Sequence, residues 1–311
     1  MLSTAVFAGF GYHLYQLAGR VDWPLFFASL SAPGQWRYLL LAFVGMPLNW
    51  LVEAIKFHGL LRTFVDWPFV RTLRVTLAGL SVSAATPNRV GEVGGRLLLA
   101  ERGEFGGVLT ASLLGSLAQW VAFLLLAWPA LIWTAGTLLG EWLPHGVGVE
   151  WLLPLGPLLL CIGWIGGRPL LLRVLGWLDG RFGLDTGPAA EGLRQVRVGA
   201  MAVAGGWACL RLLLYCTQLW LLLRFFGLPL DYLRGVAGAA AIYLIQAGIP
   251  LPPGVNLVTR AELGIFIWGA DAGAAVGILA AFTGLFALNV LVPAVPGYWF
   301  VLRGRRTGKD R

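Results

Sequence analysis

The sequence predicts an all-α, polytopic integral membrane protein, and three observations carry that prediction. Of its 311 residues, 58% are hydrophobic and only 12% are charged, and the mean hydropathy is +0.76, beyond what a soluble domain of ordinary composition reaches. Apolar runs recur at about 3–18, 39–57, 107–134, 151–167, 198–223 and 275–302, most of them close to the ~20 residues that a helix needs to cross hydrocarbon. The run Thr86-Pro87-Asn88-Arg89-Val90-Gly91-Glu92-Val93-Gly94-Gly95-Arg96 sets two arginines, a glutamate and three glycines inside this apolar chain. Ionisable groups at such depth are costly, and they mark function more often than not.

Taken in order, the first run (3–18) has no Lys or Arg before Arg20 and no small-residue cleavage site, so a retained helix is expected rather than a secretory signal. Loop charges orient the rest. The tail from Arg303 is net +4, and segments 58–75 and 168–197 are each net +2, whereas 137–150 is net −2. The positive-inside rule then places both termini in the cytoplasm and 137–150 outside. The longest polar segment, about 168–197, has room for one short amphipathic helix.

Two regions must then begin and end on the same side: 72–104 from the cytoplasm and 235–270 from outside. Each breaks at its centre, the first at Pro87 and the second at Pro250-Leu251-Pro252-Pro253-Gly254. Arms of about 15 residues span only ~22 Å of helix, short of a crossing. The expectation is therefore about six full transmembrane helices plus two re-entrant helical hairpins. Pro87 and Pro253, Gly103 and Gly269, and Gly107 and Gly273 are each 166 residues apart. This predicts one membrane domain, 1–311, built as an inverted repeat with halves near 1–136 and 150–311, an architecture of secondary transporters whose helix breaks mark the substrate site. The alternative is that some arms span fully and the common offset is chance.

Chemistry concentrates at the breaks. Thr86 precedes Pro87 as an N-cap precedes a first-turn proline, and the helix is expected to run from Pro87 toward Glu101. Along it Arg89, Glu92 and Arg96 share one face. Thr259-Arg260-Ala261-Glu262 fits a capping box and predicts a second helix start. Two helix N-termini would then favour an anion, with Arg89, Arg96 and Arg260 adding charge and Thr86, Asn88, Glu92 and Glu262 nearby. The competing reading is a closed ion-pair network among Arg89, Glu92 and Arg96. Glu53, Lys56, Arg211 and Asn289 are supporting candidates: Lys56 either joins the site or snorkels to the interface, and Arg211 faces the groove or pairs with Glu53 or Glu92. Asn49, Gln119, Gln218 and Gln246 are intramembrane amides suited to helix–helix bonding. Gly273 and Gly277 have the spacing of close helix packing. Trp23, Trp36, Trp67, Trp142, Trp151 and Trp299 sit where interfacial aromatics sit.

Several function classes find no support. The three cysteines, Cys161, Cys209 and Cys216, lie in apolar runs without a metal or redox spacing, and no HExxH, P-loop or hydrolase signature is present. No catalytic residue, metal site or cofactor is expected. The net charge of +8 belongs to cytoplasmic loops rather than to nucleic-acid binding.

The string 86–92 followed by Gly95-Arg96 resembles the TP-x-R-x-GE signature of the flippase-like membrane family named for the transmembrane domain of lysylphosphatidylglycerol synthase. Asn49-Trp50…Glu53…Lys56 and Asn289-Val290…Pro293…Gly297 resemble its stand-alone members. The resemblance implies polytopic helices with re-entrant segments, lipid translocation between leaflets, and the matched residues near the lipid path. This chain shows no aminoacyl-transferring domain, so lysyl transfer is not expected, and its second hairpin lacks the GxGxxE form of many members. The expected function is flipping of an anionic phospholipid or polyprenyl-phosphate lipid through a groove between the hairpins in a bacterial cytoplasmic (inner) membrane. Its expected partner is that lipid, with a homo-oligomer or an envelope-biosynthesis partner also open. The alternatives are an integral-membrane transferase or accessory domain in lipid-linked sugar or aminoacyl transfer, and a non-transporting partner protein.

Overall fold

The computed structural model describes residues 24, 34–83, 90–139, 148–183, 186–247, 249, 253–269 and 272–307. Helices account for nearly all of them, and no strand occurs among the described residues. That is what hydrocarbon demands, because a helix satisfies its backbone hydrogen bonds internally. Four helical stretches are long and apolar enough to cross a membrane: Trp36–Leu61, Arg102–Leu138, Val198–Phe225 and Ala274–Phe300. A fifth candidate is the pair Glu150–Gly163 and Gly167–Phe182, bent by 46°. The first apolar run, 3–18, lies outside the described residues.

The elements are α1 (Trp36–Leu61), α2 (Phe69–Ser83), α3 (Val90–Leu97), α4 (Phe105–Ala122), α5 (Trp128–Leu139), α6 (Leu155–Phe182), α7 (Gly187–Gln195), α8 (Val198–Phe225), α9 (Tyr232–Ala247), α10 (Pro253–Trp268), α11 (Ala272–Phe286) and α12 (Val292–Thr307). Two π-helical segments, Phe123–Ala127 and Ala287–Leu291, join α4 to α5 and α11 to α12 without interrupting either rod. At the centre α1 lies along α8, with α4 and α11 also packed on α8. Around this core α12 packs on α2 and α5 packs on α9. The outer face of α1 presents Trp36, Leu40, Phe43 and Val44, an apolar surface suited to acyl chains rather than water.

Two pairs of packed helices are each built from helices too short to cross alone. α2 has 15 residues, α3 eight, and α9 and α10 sixteen each, so the longest reaches about 24 Å at 1.5 Å per residue. α2 packs on α3, and α9 on α10. Glycine makes the first pairing possible: a Cβ on Gly95 would lie 2.7 Å from the Ala78 carbonyl oxygen, and one on Gly79 2.7 Å from that of Glu92. Gly95→Val should therefore force the arms apart and cost about 1–3 kcal/mol, the usual range for overpacking. Gly94→Ala meets open space and should leave the melting temperature nearly unchanged. Thermal unfolding of the two purified variants in detergent separates a packing contact from a general intolerance of this helix.

Several sequence expectations change. Segment 168–197 is not a polar loop: α6 continues through it to Phe182, where Gly183 takes a left-handed φ of 61° and ends the helix. The short helix expected there is α7. The capping box at 259–262 is not a helix start, because α10 begins six residues earlier at Pro253, whose fixed φ suits a first turn. Thr259 is instead mid-helix and donates its hydroxyl proton to the Val255 carbonyl at 2.9 Å. Trp67 is no interfacial marker: it is 2% exposed, donates to Glu104 Oε1 at 2.7 Å and carries the Arg71 guanidinium over its ring. Gly277 packs as its spacing suggests, against the Phe226 carbonyl and Leu228. Trp23, Trp142 and residues 84–89 lie outside the described residues.

Candidate functional site

One buried carboxylate organises the centre of the molecule. Glu53 is on α1, whose face toward α8 is apolar except for Asn49, Glu53 and Lys56, spaced to emerge on one side of the helix. Lys56 Nζ lies 2.7 Å from Glu53 Oε2, Arg211 Nη1 of α8 2.9 Å from the same oxygen, and Arg96 Nη2 of α3 2.8 Å from Oε1. Arg96 also bonds Glu92 one turn earlier on α3 and stacks on the Phe57 ring, 4.1 Å from its centroid. Its Nη1 reaches Ser112 on α4 at 3.4 Å. Three cations thus converge on one carboxylate, with three helices tied together through it. Buried charges of this kind persist only when paired, since each carries a large desolvation cost.

An amide relay extends the cluster to α11 and its π segment. Arg211 Nε donates to Asn49 Oδ1 at 3.0 Å, and Asn49 Nδ2 donates to Asn289 Oδ1 at 2.9 Å. Asn289 Nδ2 donates to Gln218 Oε1 at 3.2 Å, and Gln218 Nε2 donates to the Ala42 carbonyl at 2.9 Å. Each amide is nearly saturated by the next, so the relay locks α1, α8 and the π segment in register. Asn289 projects into this relay from a π turn, and such turns are frequent at functional positions.

Beside the cluster is a cavity of about 420 Å³, within the size range of small-molecule sites. Its wall takes residues from both halves of the chain: Asn49 and Trp50 of α1, Glu92 of α3, Ser116 and Gln119 of α4, Arg211 and Tyr215 of α8, Tyr243 and Gln246 of α9, and Asn256 and Arg260 of α10. Leu212, Leu257, Phe286 and Val290 are among its apolar residues. Arg211 and Arg260 are the cations on this wall and Glu92 is its carboxylate. Arg260 Nε donates to Gln246 Oε1, and its guanidinium lies over the Tyr243 ring, 5.1 Å from the centroid. Gln246 Nε2 in turn donates to the Asn256 carbonyl at 3.2 Å, which holds α9 to α10. Among the described residues the Tyr243 hydroxyl is buried without a hydrogen-bond partner, and at 7% exposure its ring is nearly enclosed. A mixed apolar and cationic wall of this kind suits an amphiphilic anion.

The predicted residues divide. Glu53, Lys56, Glu92, Arg96, Arg211 and Asn289 are brought together, and Arg260 stands across the cavity wall from the cluster's Arg211. The prediction that Arg211 pairs with Glu53 or Glu92 resolves to Glu53. The snorkelling alternative for Lys56 fails: the residue is 1% exposed and its ammonium turns inward to Glu53. Arg96 is likewise engaged by two carboxylates rather than offered to a ligand. Glu262 is half-buried on α10 and does not line the cavity. Thr86, Asn88 and Arg89 lie outside the described residues. Sequence reasoning missed Tyr215, Tyr243 and Asn256. The Tyr243–Gln246 spacing of three residues, on a helix otherwise rich in alanine and glycine, was the available signal.

The model of the lysylphosphatidylglycerol synthase TM region matches residues 1–286. No curated protein matches the chain at a significant level. With a match over most of its length and several apolar helices of crossing length, this multi-pass membrane chain belongs to the lysylphosphatidylglycerol synthase transmembrane-region family, whose members are tied to lipid modification or transport.

Proposed function

We propose that the protein translocates an anionic lipid between leaflets, its headgroup passing through the cavity bounded by Arg211, Arg260 and Glu92 while the acyl or prenyl chains stay in the bilayer. One observation carries this reading: a cavity walled by two guanidiniums, amides and tyrosines lies among helices whose outer faces are apolar. A purely structural charge cluster would have no use for the cavity. The Glu53 cluster is the scaffold, and the cavity wall is the site.

The short pairs α2–α3 and α9–α10 act in this proposal as two re-entrant hairpins, entering from opposite faces. Their arms are below crossing length, and they belong to halves with the same order of elements. The two π segments start 164 residues apart, at 123 and 287, close to the 166-residue spacing of the sequence landmarks. Packing is also reciprocal, α12 on α2 and α5 on α9, which supports an inverted repeat whose halves rock about the α1–α8 contact. In this proposal both termini are on the cytoplasmic side of a bacterial inner membrane, an orientation that the basic C-terminal tail supports.

Photo-crosslinking tests where the headgroup travels. An anionic phospholipid carrying a diazirine on its headgroup, illuminated with the protein in nanodiscs, should label Tyr243, Gln119 or Asn256. Adducts confined to the outer residues Leu40, Phe43 and Val44 would overturn the proposed path.

A further inference from the structure

We infer that the cavity selects a phosphate group carrying two negative charges, a monoester or diphosphate, over a singly charged phosphodiester. The inference rests on the proposed function for its site and goes beyond it in naming the charge class of the ligand.

The starting point is a charge count. Among the described residues, the connected cluster and cavity wall hold four cations, Lys56, Arg96, Arg211 and Arg260, against two carboxylates, Glu53 and Glu92. That is a surplus of two positive charges among apolar helices. An uncompensated charge at such depth is expensive, and the surplus is not evenly spread. Lys56 and Arg96 are turned toward carboxylates. The cations on the cavity wall are Arg211, which also pairs with Glu53 through Nη1, and Arg260.

Free donors are found on the same wall. Arg260 uses Nε on Gln246, and its Nη1 and Nη2 have no protein partner among the described residues. Arg211 uses Nε on Asn49 and Nη1 on Glu53, leaving Nη2. The third donor is independent of charge: the Tyr243 hydroxyl, on a residue more than nine-tenths buried, lines the cavity with its hydrogen-bonding capacity unused. A buried hydroxyl without a partner costs free energy unless a ligand supplies one. Two guanidinium edges and a phenol form a donor set for a group with several acceptor oxygens. A phosphate monoester has three terminal oxygens, against two on a diester, and it carries the second charge that the surplus requires.

The second ionisation of a phosphate monoester falls near pH 6, which gives the inference a sign. Above that pH the monoester is a dianion, and below it the monoester matches a diester in charge. The titratable groups facing the ligand are Glu92 of α3, Arg211 and Tyr215 of α8, Tyr243 of α9 and Arg260 of α10. A change in any of these alters both ligands together, whereas ionisation of the ligand alters the monoester alone. The monoester-to-diester ratio isolates the effect.

The experiment measures binding of dodecyl phosphate and of its methyl diester to the purified full chain in a non-ionic detergent, at pH 8 and at pH 5. The expected result is about tenfold tighter binding of the monoester at pH 8, the weight of one added charge-assisted bond, and near-equal binding at pH 5. Arg260→Gln should erase the pH 8 preference, and Arg260→Lys, which keeps the charge, should retain part of it. The wild-type pH comparison needs no variant to fold. Equal binding of monoester and diester at pH 8 would overturn the charge selection while leaving an anionic-lipid path intact. Binding of neither ligand would overturn both. Methyl phosphate distinguishes the source: competition as strong as that of dodecyl phosphate supports the charge class and assigns the ligand to a soluble phosphate, whereas weak competition assigns it to a lipid.

Discussion

Glu53→Gln should be the most destabilising conservative substitution in the molecule, lowering the free energy of unfolding by about 3–5 kcal/mol, the usual cost of removing one member of a buried ion pair. The side chain changes by one atom type and hardly in volume, so packing is preserved. What is lost is the anion that Lys56, Arg96 and Arg211 share. Glu92 remains, but it touches only Arg96 of the three in an ion pair seen here. The double variant Glu53→Gln/Lys56→Met restores the original charge balance and should recover a substantial part of the loss, which a cycle of single and double variants measures as coupling. Chaotrope titration of the purified proteins in detergent reads both. If Glu53→Gln unfolds at the wild-type midpoint, the cluster is not the scaffold described above.

Arg260→Gln should behave in the opposite way, with a large loss of lipid movement and little loss of stability. The substitution removes one hydrogen bond to Gln246 and the stacking on Tyr243, together about 1–2 kcal/mol. Gln246 keeps its bond to the Asn256 carbonyl, so α9 and α10 stay joined. Transport loses a charge-assisted contact to the headgroup, a reduction on the order of 10- to 100-fold in exchange rate. A role in holding the two helices together predicts instead that exchange and melting temperature fall in parallel, and that Arg260→Lys rescues neither. A role in headgroup binding predicts partial rescue of exchange by lysine.

The membrane class and the locations of the long helices were legible because hydrocarbon imposes them: an apolar run of crossing length has few other uses. The charged run at 86–96 also announced itself, since its composition conflicts with its surroundings. What could not be read was which charges pair. Arg96 and Arg260 look alike in the sequence, yet Arg96 is held by two carboxylates from different helices while Arg260 has none in ion-pair range among the described residues. That difference depends on the contact of α1 with α3, which residues 43 apart in sequence make and no local spacing encodes. Lys56 stayed between two readings for a related reason, because its place near the end of an apolar run suits an interfacial lysine until its ammonium is seen to turn inward to Glu53. The capping pattern at Thr259 failed because a proline six residues earlier had already begun the helix. Tyr243 was overlooked because tyrosines in apolar helices usually bury their rings for packing alone.

The most direct test of lipid translocation is leaflet exchange in liposomes containing the purified protein and trace amounts of headgroup-labelled anionic lipids. A membrane-impermeant quencher reads only the outer leaflet. If the cavity is a headgroup path, at least one anionic lipid becomes quenched beyond its outer-leaflet share with wild-type protein, and Arg260→Gln slows that phase. Quenching that stops at the outer-leaflet share for every anionic phospholipid and polyprenyl phosphate tested, with protein shown to be folded, would contradict translocation.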